Sequence, residues 1–239
     1  MGKKIIFFDT ETTGNTANDF LCQIAYKTED EEFGELYKPL IKIPPEASAV
    51  HHITNKMVDQ KPTFSESQDF EKIKKLFEDE NSVAVAHNAI FDLTMLKKEN
   101  IIPKNYICTL KIARYLDPDA KLGKYNLQYL RYALDIDIEA TAHDAMGDVL
   151  VLQKLFERLM KKFMESYNLN EDETLQKMIE ISSKPFLFKN INFGKYNGRS
   201  ISEIAEIDRG YLEWLLAEKT KGDQMDEDWI YTLKQALGK

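Results

Sequence analysis

FFDTETTG, residues 7–14, governs the reading of this chain. It closes an apolar run that begins at KIIFF, and in a strand residues two apart share a face. Phe7, Asp9 and Glu11 therefore project to one side while Phe8 and Thr10 project to the other. A carboxylate at the end of a buried strand is heavily penalised unless something positive meets it. Taken alone, the segment favours a plainer reading, a strand running out into a solvated turn made by Thr12, Thr13 and Gly14.

Two further acids change that balance. In a helix spanning about 145–165, Ala145, Val149, Leu152, Phe156, Leu159 and Phe163 form the apolar stripe, and Lys154, Arg158, Lys161 and Glu165 form the wet side. Asp148 falls beside Leu152 and Leu155 on that wheel and faces inward. Asp92 lies within AIFDLTML among Phe91, Leu93, Met95 and Leu96. Four acids thus occupy inward-facing positions on three separate elements, and no lysine or arginine stands in these motifs to neutralise them. Bound cations balance such a set most simply, and an all-oxygen set selects hard divalent ions, Mg²⁺ or Mn²⁺. His143, placed in a loop just before the helix, would be free to lean over the acids, and its near-neutral titration suits a base that activates water.

The rest of the chain supplies a frame. KIIFFD, FLCQIAY and EFGELYKPL read as three strands joined by short polar links, which favours an antiparallel meander. Phe70, Ile73, Leu76 and Phe77 recur at helical spacing; SVAVA is a short buried strand; HNAIFDLTMLKKEN is a helix entered at Asn88 as N-cap. YICTLKIA reads as a strand and YNLQYLRYAL as a helix. The fold class expected is α/β, a ribonuclease-H-like mixed β-sheet flanked by helices, with a small C-terminal α+β domain. The expected boundaries are a domain over 1–165, a linker over 166–184 and a second domain over 185–239. In that last segment Phe193, Tyr196, Ile201, Ile204, Leu212, Trp214 and Leu215 are expected to build the core, and Arg199 is the candidate for substrate contact.

The 239 residues carry a formal charge of −8, which argues against tight non-specific binding of DNA. The charge is unevenly spread: EDEEFGE, EDE and DQMDED hold 12 of the 40 acids, which leaves 28 against 32 bases. Two cysteines, Cys22 and Cys108, make neither a disulfide framework nor a zinc cluster. No stretch is apolar enough to span a membrane, and KKIIFFD is too short for a signal-peptide core, so no membrane partner and a cytoplasmic setting are expected.

The motifs together resemble those of the DEDDh, or DnaQ-like, 3'-to-5' exonucleases: FDTETTG with Asp9 and Glu11, AHNAIFD with Asp92, and HDAMGD with His143 and Asp148. VHHIT resembles the family's V-H-G-I-T segment, with His51 at the histidine and His52 in place of glycine. The resemblance covers residues 4–165, and FGKYNGRSISEI with YLEWLL resembles the small C-terminal module of exonuclease-X-like proteins. It implies two divalent metal ions held by Asp9, Glu11, Asp92 and Asp148, with His143 as general base. It also implies hydrolysis of terminal phosphodiester bonds of DNA to nucleoside 5'-monophosphates, in repair or replication. Thr12, Thr13 and His51 would contact substrate, and Asn88 would contact it or shape its turn. The implied partners are single-stranded DNA 3' ends and a DNA polymerase or repair proteins. Two alternatives stay open: an exoribonuclease acting on RNA 3' ends, and a polymerase-recruiting binding module.

Overall fold

The structure is a computed structural model that describes residues 2–16, 18–138, 144–221 and 226–239. The chain forms two compact units, 1–183 and 184–239.

The first unit is built on one sheet. Its strands are β1 (Lys4–Thr12), β2 (Leu21–Lys27), β3 (Glu32–Leu36), β4 (Ser82–Ala86) and β5 (Tyr106–Cys108), in the order β3-β2-β1-β4-β5. The β1–β2 and β2–β3 pairs are antiparallel, whereas β1–β4 and β4–β5 are parallel. This is the mixed ribonuclease-H-like arrangement expected from three strands in a meander followed by strands that return through helices. Helices α1 (Pro45–His51), α2 (Asn55–Val58) and α3 (Phe70–Glu78) link β3 to β4, and α4 (Ile90–Lys98) links β4 to β5. Then follow α5 (Thr109–Leu116), α6 (Leu127–Ala133), α7 (Ala145–Tyr167) and α8 (Glu171–Ser182).

Strand alternation separates two cores. Phe7, Ala25, Val83, Val85 and Ile107 face one way and pack with Val149, Leu152 and Phe156 of α7, where Phe7 meets Phe156 edge-on at 5.3 Å. Ile6, Phe8, Ile24, Tyr26 and Ala84 face the other way and pack with Ile73 and Phe77 of α3 and Leu96 of α4, where Phe8 meets Phe77 edge-on at 5.1 Å. Every residue of β4 is buried, as a central strand covered on both faces requires.

Three local expectations are corrected. In YICTLKIA only Tyr106–Cys108 is strand; Thr109, Ile112 and Ala113 are buried at helical spacing and α5 takes over. Asn88 does not cap α4, whose N-cap is Ala89 without a side-chain bond; Asn88 instead adopts a left-handed φ of 63° in the turn. Residues 166–184 are not a linker. They complete α7 and form α8, opened by a capping box in which Asn170 and Glu173 bond each other's backbone N–H groups. Leu175 and Met178 of α8 are buried in the α7 core.

The second unit contains α9 (Ile201–Ile207), α10 (Arg209–Lys219) and α11 (Glu227–Leu237). Among the described residues its β content is one antiparallel bridge, Asn190 to Ser200. Gly198, at φ 84°, makes the turn that returns its N–H to the Ile191 carbonyl. The core holds Ile191, Ile201, Ile204, Leu212, Leu215, Leu233 and Trp229, the last stacked on Phe188 at 4.4 Å. Trp214, expected inside, is 55% exposed, so Trp229 is the tryptophan that fills this core.

Candidate active site

β1 delivers its two acids to the α7 side of the sheet. There Asp148, in the first turn of α7, comes to meet them, and ligand oxygens of Asp9, Glu11 and Asp148 all lie within 4.8 Å of one another. The first turn of α7 is fixed by Asp144, whose carboxylate accepts from the Gly147 N–H at 3.2 Å, and by the Asp148 N–H bonding the Asp144 carbonyl at 2.9 Å. Asp148 is 9% exposed, and Asp9 and Glu11 are partly exposed, so water or an ion has a route to the cluster.

Asp92 arrives from the opposite side. It is 3% exposed on α4, and its Oδ1 accepts from both the backbone N–H (3.0 Å) and the hydroxyl (2.7 Å) of Thr10. The β1–β4 pairing ends at Phe7 and Val85, so Asp92 takes a backbone donor of β1 beyond the last β4 partner. Thr10 itself went unnoticed in the sequence as a functional residue. Its signal was its place between two acids on a strand, which forces it onto the opposite face.

The electrostatics are those of buried carboxyls, with like charges adding to the burial at Asp9 and Glu11. Burial and then the charges of Asp92, Glu11 and Asp148 hold the Asp9 carboxyl well above the usual carboxylate range. Burial and then Asp148 and Asp92 push Glu11 up to about 8. Burial raises Asp92 to about 7 against the two bonds from Thr10, which pull it down. Among the described residues no lysine or arginine pairs with Asp9 or Glu11. Hard oxygen donors from Asp9, Glu11 and Asp148 converge here, a donor set that suits a divalent metal ion.

The other expected residues have different surroundings. His143 lies outside the described residues. Thr12 and Thr13 are buried and turned into their own loop: Thr12 donates to the Gly14 carbonyl at 2.5 Å, and Thr13 donates to Asp19 at 2.8 Å while accepting from the Phe20 N–H at 3.0 Å. His51 is 6% exposed, accepts from the Ile53 N–H at Nδ1 (3.0 Å) and so donates from Nε2 to the Thr12 carbonyl (3.1 Å). Both its ring nitrogens are thus committed to backbone, Nε2 at the end of β1 and Nδ1 at Ile53 just after α1. Asn88 is exposed at the mouth of the β4–α4 turn. Arg199 belongs to the second unit and pairs with Glu203 at 2.8 Å. Gln128 of α6, which gave no signal in the sequence, donates from Nε2 to Asp148 Oδ1 at 2.5 Å.

Comparison with known proteins assigns the chain. The Exonuclease family profile matches residues 6–156, and the Exodeoxyribonuclease X-like C-terminal profile matches residues 191–219. Exodeoxyribonuclease 10 of Escherichia coli (strain K12) is 32% identical over 204 residues, covering 84% of this chain and 83% of its own. DNA polymerase III subunit epsilon of Treponema pallidum (strain Nichols) is 32% identical over 190 residues, covering 72% and 86%. Among solved structures, exonuclease X in complex with 5' overhanging duplex DNA superposes with a TM-score of 0.57 at 26% identity, over 75% of this chain and 99% of that one. The chain belongs to the exonuclease family and carries an exodeoxyribonuclease X-like C-terminal segment.

Proposed function

We propose that the protein is a metal-dependent 3'-to-5' exodeoxyribonuclease that removes nucleoside 5'-monophosphates from DNA ends. The observation that carries this reading is the convergence of Asp9, Glu11 and Asp148 within 4.8 Å, in a chain of the exonuclease family. These three carboxylates, with Asp92 behind them, would hold two divalent ions, and their all-oxygen character favours Mg²⁺ or Mn²⁺. Such ions supply Lewis-acid activation of water and neutralise charge on the departing 3' oxygen. The chain's own groups do the rest. His143 takes a proton from the attacking water, and Asp9 and Glu11, as ligands of those ions, would fix where the scissile phosphate is held. Thr12 and Thr13 shape the loop that receives the terminal nucleotide, and Asn88 of the β4–α4 turn contacts substrate; separately, the second unit offers Arg199 for a phosphate contact.

DNA is favoured over RNA because the exodeoxyribonuclease 10 likeness runs through both units, and exonuclease X has been solved with DNA. The X-like C-terminal segment also supports a free-standing repair enzyme over a polymerase subunit. Two free, buried thiols, Cys22 and Cys108, fit a reducing, cytoplasmic setting. Among the described residues no helix is long and apolar enough to cross a membrane.

The deciding experiment is product analysis on matched single strands of DNA and RNA labelled at the 5' end, with Mg²⁺ or Mn²⁺ and with chelator. A ladder shortening from the 3' end of DNA, lost in chelator and in Asp9→Ala, is the expected result. Faster digestion of RNA would replace the substrate assignment, and undiminished activity in Asp9→Ala would overturn the site.

A further inference from the structure

We infer that Gln128 is a positioning residue for Asp148, backed by Arg131; the inference rests on the metal-binding role proposed for the acidic cluster. Three carboxylates within 4.8 Å repel one another, and Asp148 alone of the three comes from a helix, so its rotamer must be held against that repulsion. The Gln128 amide does this at 2.5 Å. Which end of the amide faces Asp148 is set by Arg131, whose Nη1 donates to Gln128 Oε1 at 3.5 Å; the oxygen is thereby occupied and Nε2 is left for the carboxylate. Arg131 is itself held, donating from Nη2 to the Ile138 carbonyl with its guanidinium over the Tyr132 ring.

The platform beneath this relay is firm. Asn126 caps α6 through the Tyr129 N–H at 2.9 Å, and Leu130 is fully buried in the α7 core. The choice of residue type has a physical reason. A lysine at position 128 would hold Asp148 equally well but cancel part of its charge, in competition with a cation. A neutral amide donor orients the carboxylate and leaves its charge in place.

The test is Mn²⁺ binding, read by electron paramagnetic resonance of the free ion and by calorimetry, in the full-length protein and in Gln128→Met and Arg131→Met. Loss of a group that orients a metal ligand weakens binding by about 10- to 100-fold. Gln128→Met should raise the Mn²⁺ dissociation constant by about tenfold, and its lost exonuclease rate should return at saturating Mn²⁺. Arg131→Met should give a smaller rise, and the double variant should bind no more weakly than Gln128→Met alone, because both changes break one relay. If Gln128→Met does not fold, Gln128→Ala, which leaves room for water, is measured in the same way. Mn²⁺ affinity within twofold of wild type in a folded Gln128 variant overturns the inference. Absence of Mn²⁺ binding in the wild type would instead overturn the metal reading of the cluster.

Discussion

Thr10 gives two hydrogen bonds to one oxygen of Asp92, one from its main chain and one from its hydroxyl. The buried carboxylate is thus tied to the strand that carries Asp9 and Glu11, so the geometry of one acid constrains the other two. Thr10→Val keeps the backbone bond and the shape but removes the hydroxyl. It should lower stability by about 1–2 kcal/mol in urea unfolding and slow hydrolysis, while Thr10→Ser restores most of both.

Relief of like-charge crowding separates stability from activity. At pH 9, above the value of about 8 to which Glu11 is pushed, metal-free Glu11→Gln should melt higher than wild type, by about 2–4 °C for each kcal/mol of burial and repulsion removed. Added Mn²⁺ should raise the melting temperature of the wild type and leave the variant unmoved. Hydrolysis by the variant should fall by at least about 10²-fold, since ligand loss removes several kcal/mol of charge stabilisation. A thermal-shift titration and a rate assay measure all three.

His87 makes the fold sensitive to acid. Its Nε2 donates to the Tyr125 carbonyl at 2.6 Å, its Nδ1 faces the Thr109 hydroxyl at 2.9 Å, and burial, aided by the nearby Arg114 charge, lowers its pKa from 6.5 to about 4. Above pH 6.5 the ring is neutral both folded and unfolded, and the contribution of His87 is at its full value. As pH falls from 6.5 towards 4 only the unfolded chain takes up the proton, so stability is lost, by an estimated 1–3 kcal/mol on the order-of-magnitude scale of such shifts. The raised carboxyls of Asp9, Glu11 and Asp92 contribute with the opposite sign over the same range, so the His87 loss is read as a difference: the stability of wild type relative to His87→Gln, from urea unfolding at pH 7.5, 5.5 and 4.5, should fall as pH falls.

His51 distinguishes support from substrate contact. Its Nε2 bond to Thr12 joins α1 to the end of β1 and its Nδ1 bond holds the Ile53 N–H that follows α1, so His51→Ala should lower stability by about 1–3 kcal/mol through orphaned backbone groups. A substrate-contacting histidine would raise KM and leave the unfolding curve unchanged. Denaturation and steady-state kinetics on the same preparation tell these apart.

What the sequence made legible follows the periods it contains. The two-residue alternation of FFDTET and the 3.6-residue stripe from Ala145 to Phe163 were long enough to define β1 and α7, and with them the meeting of Asp9, Glu11 and Asp148. YICTLKIA was too short to arbitrate, because its apolar residues satisfy both periods until Thr109 begins a helix. The EDE run at 171–173 looked like a break. It is the first turn of α8, where acids oppose the helix dipole and Glu173 completes a cap. Gln128 was invisible for a different reason: a polar residue on an amphipathic helix is the default, and only its distance to Asp148 distinguishes it. Trp214 and Trp229 are equally apolar, and nothing in their spacing said which would face solvent.

Ser182, at the end of α8, fastens that helix to the margin of the sheet: its hydroxyl accepts from the Cys108 N–H at 2.9 Å, and its carbonyl accepts from the Tyr106 hydroxyl at 3.0 Å and from Lys111 at 3.3 Å. β5 is the outermost strand on that side, and unshielded outer strands recruit strands from other molecules. A fragment cut at residue 165 would keep every acid of the cluster and lose this cover. A soluble catalytic fragment therefore has to extend through Ser183, so that the helix beyond the last acid protects the fold from self-association.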